Sequence, residues 1–82
     1  MPEQQPWNEW IVSNPEILGG KPVIRGTRIS VEFVLELLAS GATQADILQR
    51  YPHVPADGLA AALQYAADVL KGDHVWALRV PA

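Results

Sequence analysis

Three of the chain's six basic side chains, Lys21, Arg25 and Arg28, fall in the stretch GGKPVIRGTRIS (residues 19–30), beside three of its six glycines. Closely spaced cations among glycines suit the binding of an anion, either the phosphates of a nucleic acid or the carboxylates of a protein partner. A nucleotide-binding phosphate loop does not fit. Lys21 is followed by Pro22 where Ser or Thr would hold magnesium, and the proline removes an amide from the cradle. A glycine-shaped turn with exposed basic side chains remains. With a net charge of −3, the chain lacks the broad positive field of a non-specific nucleic-acid coat, so any phosphate contact has to be local.

Other chemistry-bearing residues are sparse. Glu32 and Glu36 stand one helical turn apart, yet without a cleft or partner base they read as a solvated face. Cysteine is absent, and His53 and His74 are the only remaining soft ligands. There is no nucleophile elbow, no histidine pair at helical spacing and no metal-ligand cluster. The expectation is a non-enzymatic protein without metal or cofactor.

The elements that would carry the basic stretch follow from patterning. Between Ile11 and Ile29 the apolar residues are short and isolated among Gly and Pro, which predicts extended pieces joined by turns. Ser30 can cap a helix over 30–40, in which Val31, Val34, Leu35 and Leu38 share a face before Gly41. Thr43 and Asp46 form a capping-box-like pair opening a helix to about Tyr51, with Ile47, Leu48 and Tyr51 inward and Asp46 and Arg50 at i, i+4. Pro52 ends it. A third helix is expected over about 56–70, with Leu59, Leu63, Ala66 and Leu70 on one stripe and Ala56, Asp57, Gly58, Ala60 and Ala61 outward. The alternation in HVWALRV predicts a terminal strand with Trp76, Leu78 and Val80 on one face and Val75, Ala77 and Arg79 on the other.

The last two helices, around PHVP, have helix-turn-helix spacing: Ile47, Tyr51, Val54, Leu59 and Leu63 occupy the positions such a unit buries, with one extra residue in the turn. A plain three-helix core fits the spacing equally well. The exposed early positions of the third helix offer no Arg, Lys or Asn to read a base edge, so Lys21, Arg25 and Arg28, together with Arg50, are the candidate nucleic-acid contacts.

The 82 residues make one domain too small to bury a large core, and with no disulfides available, self-association as a homodimer is expected. A hydrophobic fraction of 49% against 18% charged fits a compact chain with apolar surface to cover. No apolar run spans a membrane, and the start MPEQQPWNEW lacks a secretory pattern, so a cytoplasmic protein is expected. Residues 1–10 read as a mobile interaction arm before a domain at 11–72 and a strand or tail at 73–82. Trp7, Trp10 and Trp76, all outside the helices, are the candidate partner-binding residues, with roofing of the core as the alternative for Trp10 and Trp76.

The stretch from NPEILGGKPVIRGTRIS to YP and LQYAA, within residues 11–67, resembles the bacterial and archaeal domain-of-unknown-function family 433. The family's pattern falls here on Gly20, Lys21, Pro22, Arg25, Gly26, Thr27, Arg28, Ile47, Tyr51 and Pro52. Ser30 departs from the usual Pro, and Pro55 departs from the usual Ser or Thr that caps the third helix, which puts that helix start in question. The resemblance implies a mainly α, homeodomain-like helix-turn-helix core with short N-terminal β-hairpin segments. It also implies a VapB-type antitoxin that neutralises a PIN-like ribonuclease toxin and contacts operator DNA. A protein-interaction module that never touches DNA is the rival expectation.

Overall fold

The computed structural model describes residues 6–72. A 3-10 turn at Pro6–Glu9 leads into strand β1 (Ile11–Val12), which pairs antiparallel with β2 (Val23–Ile24), Ile11 opposite Ile24 and Val12 opposite Val23. Three helices follow: α1 (Val31–Ala39), α2 (Gln44–Arg50) and α3 (Ala56–Gly72). The fold is mainly α with a small N-terminal β-hairpin. The expected terminal strand at 73–82 lies outside the described residues.

Local chemistry sets each boundary. The Ser30 hydroxyl accepts from the Phe33 amide at 2.9 Å and starts α1. At α2 the capping box is complete: Thr43 Oγ1 accepts from the Asp46 amide at 3.0 Å, and Asp46 Oδ2 accepts from the Thr43 amide at 2.9 Å. Asp therefore reaches the N-cap amide although it is shorter than Glu. The same contact, led by the Thr43 backbone amide, holds the Asp46 carboxyl below its ordinary pKa. Helix α3 begins directly after Pro55, whose carbonyl accepts from the Leu59 amide, so the absent Ser or Thr cap does not displace its start.

The core joins all these elements: Ile11, Ile24, Val31, Val34, Ile47, Val54, Leu59, Ala61 and Ala62 are buried together. The expected faces of α1 and α3 are corrected. Leu35 is 41% exposed while Leu37 packs on the core; Ala61 and Gly58 are buried rather than outward, and Leu70, expected on the inward stripe, is 68% exposed. The physical reason lies in α3, which packs against β1 and β2 as well as α1 and therefore turns its small residues toward the hairpin. A Cβ on Gly58 would stand 2.9 Å from Ile24 Cγ2 and 3.3 Å from Trp10 Cε3, so the missing side chain permits this approach.

Candidate functional site

The basic stretch occupies β2, the turn after it and the entry to α1. The Thr27 amide donates to the Ile24 carbonyl at 3.0 Å, and Gly26 takes φ +81°, the conformation this turn requires at its third position. Buried Thr27 locks it. Its hydroxyl donates to the Ile24 carbonyl at 2.7 Å and accepts from the Ile29 amide at 2.9 Å, while the Ile24 amide donates to Ile29. The GTR run is thus a structural clamp that projects Arg25 and Arg28 outward from a rigid base.

The three cations have different surroundings. Lys21 pairs with Glu32 of α1 at 2.9 Å, both side chains more than half exposed, and this hydrogen bond raises the lysine pKa. Arg25 lies over the Trp10 ring, 5.0 Å from its centroid, and the Arg25 amide donates to the Trp10 carbonyl at 2.6 Å. Arg28 is exposed and forms no ion pair among the described residues. It stands between two shallow grooves. One, about 440 Å³, is bounded by Lys21, Glu32, Glu36 and Phe33; the other, about 430 Å³, is lined by Val12, Ile17, Val23 and Ile29 with His53 at its edge. Arg50 lies apart from these on α2, in a depression with Asp46 and Gln49.

The aromatic residues of the N-terminal stretch fold back. Trp7 packs edge-on against Tyr65 of α3, ring centroids 4.9 Å apart, and its Nε1 donates to Asp68 Oδ2 at 2.6 Å. Gln64 also donates to Asp68, and Lys71 lies 3.7 Å away. The Trp7 bond is the chief cause of a lowered Asp68 pKa, followed by these two neighbours, against partial desolvation. Trp7 and Trp10 are half-buried against the core, so residues 6–10 form a packed element and not the free arm that the composition predicts. Trp76 lies outside the described residues.

Phe33 meets Tyr51 at 5.9 Å and Tyr51 meets His53 at 6.4 Å, both edge-on, so His53 caps an aromatic run between α1 and the turn before α3. Among the described residues no group of three His, Asp or Glu side chains is placed to hold a metal ion. None of the described helices is long and apolar enough to cross a membrane. The Arg25–Trp10 and Trp7–Asp68 contacts escape sequence reasoning because they join residues far apart in the chain.

The chain is 40% identical over 65 residues to an uncharacterised protein, y4eO, of Sinorhizobium fredii, a match covering 78% of this chain and 29% of that protein. The chain therefore spans under a third of the length of that relative. No solved structure matches it. The family described as "Protein of unknown function (DUF433)" matches residues 11–66, which include both strands, α1, α2 and most of α3, and the chain belongs to that family.

Proposed function

We propose that the protein is the antitoxin of a toxin–antitoxin pair, a non-enzymatic helix-turn-helix protein that neutralises a PIN-like ribonuclease by binding it. The observation carrying this reading is Arg28: an exposed cation on a rigid turn, flanked on one side by an apolar groove and on the other by acidic Glu32 and Glu36. An arginine beside apolar surface suits a protein partner that brings a carboxylate, because the guanidinium bonds carboxylates bidentately while the groove receives side chains. Carboxylates beside the cation oppose a phosphate backbone. Co-expression with a PIN-like ribonuclease encoded beside this chain tests the proposal. Co-elution and relief of growth arrest are expected, and Arg28→Glu should abolish both without lowering the thermal midpoint. Failure of the wild-type chain to co-elute or to relieve arrest refutes it.

Operator binding by a homodimer is a second reading, favoured by the α2–turn–α3 arrangement, in which Ile47, Val54 and Leu59 are buried as a helix-turn-helix requires. The first turns of α3, where such a helix reads bases, give it little support, since Asp57, Ala60 and Gln64 are exposed there without a cation. In this reading a two-fold dimer doubles Lys21, Arg25 and Arg28. Light scattering tests the dimer, and a strictly monomeric mass at high micromolar concentration refutes it.

A further inference from the structure

Leu35, Val69 and Leu70 are three of the four large hydrophobic side chains exposed among the described residues, at 41%, 41% and 68%. They meet in one groove of about 250 Å³ between α1 and α3, floored by Pro22, Val31 and Ala66 and edged by Glu32. The core is complete without them. Apolar side chains gathered in one concave place on a small protein mark a surface that something covers.

We propose that this groove is the docking site of the chain's own segment 74–80, HVWALRV, which follows α3. Two observations select this occupant. The first is continuity: Val69 and Leu70 form one wall, and the segment leaves α3 only a few residues later, through Gly72 and Asp73, a pair suited to reversing the chain at a helix end. The second is pattern and reach. Trp76, Leu78 and Val80 recur with period two, so an extended segment turns all three to one side. At about 3.3 Å per residue, Trp76 and Val80 stand roughly 13 Å apart in an extended segment, enough to cross a groove that runs about one helical turn, roughly 6 to 8 Å of rise, along each helix. A tethered segment also holds an effective concentration in the millimolar range, which a second copy at micromolar concentration does not match. The inference is independent of toxin binding.

The chain has no cysteine, so Ala77→Cys in the full-length protein creates a single site for a nitroxide label on the face of the segment away from the groove. In ¹⁵N-labelled protein, paramagnetic broadening is expected at Val31 and Leu35 of α1, which are remote from position 77 in sequence, and it should disappear in Leu35→Asp. A mixture of unlabelled-isotope chains carrying the nitroxide with ¹⁵N chains lacking it should show none. Absence of broadening at Val31 and Leu35 in the first sample overturns the proposal. Broadening in the mixed sample also overturns it, by making the occupant a segment of a second copy.

Discussion

Gly58 and Asp68 carry consequences that a helix-propensity argument would miss. Alanine is about 1 kcal/mol better than glycine inside a helix. At position 58, however, the added Cβ meets Ile24 Cγ2 at 2.9 Å, and Ile24 is fully buried with no room to retreat. Overpacking of this kind costs about 1–3 kcal/mol, so the larger effect wins and Gly58→Ala should be net destabilising in urea melts. An unchanged or raised midpoint would show that the hairpin yields freely. Asp68 gives a prediction in pH. Its folded pKa is depressed, chiefly by the Trp7 indole, so its contribution is fully present above the ordinary carboxylate value of about 3.9 and is lost as pH falls through the lower folded value. Asp46 is depressed as well, so wild-type acid unfolding mixes the two. The stability difference between wild type and Asp68→Asn isolates one of them: it should be constant from pH 7 to about 5 and shrink below about 4. A difference that grows on acidification contradicts the assignment.

Among the elements, α2 is the shortest helix and leans most on its cap. Seven residues are too few to be helical alone, and Thr43 satisfies the Asp46 amide while positioning the reciprocal carboxylate. Thr43→Ala should therefore lower unfolding free energy by about 0.5–2 kcal/mol, read from the denaturation midpoint. A loss well below this range would mean that the packing of Ile47 alone holds the helix. This cap was legible in TQAD, as was Ser30 at α1, because capping is decided within four residues. The inward turn of Ala61 and the outward turn of Leu35 were not legible. Periodicity marks an apolar stripe, but the rotation of a helix about its axis is decided by its neighbour, here a hairpin pressed against α3. The GTR turn lay between these cases: its glycine announced a bend, while the double role of the Thr27 hydroxyl needed the return of Ile29 beside Ile24. For the candidate site, sequence located the cations but not their separation by Glu32 and Trp10.

At the scale of the whole molecule, that separation limits what the net charge of −3 leaves available for nucleic acid. Lys21 is engaged by Glu32, Arg25 lies on Trp10, Arg28 stands between the grooves and Arg50 sits apart on α2. These are scattered point cations rather than a stripe that tracks a phosphate backbone. If all three cations of the β2–α1 region reached phosphates, the logarithm of the DNA affinity would fall with the logarithm of salt at a slope of about −3 per chain, and about −5 for a dimer. The ion pair at Lys21 predicts a shallower slope, nearer −2 per chain, since only Arg25 and Arg28 then release counterions. Glu32→Gln frees Lys21 and should steepen the slope by about one, without favouring any particular duplex, because lysine on phosphate carries no base information. Fluorescence anisotropy on a random and a candidate operator duplex across a salt series measures both slopes. A slope unmoved by Glu32→Gln would place Lys21 outside any DNA contact, and a change confined to the operator would mean that this edge reads bases.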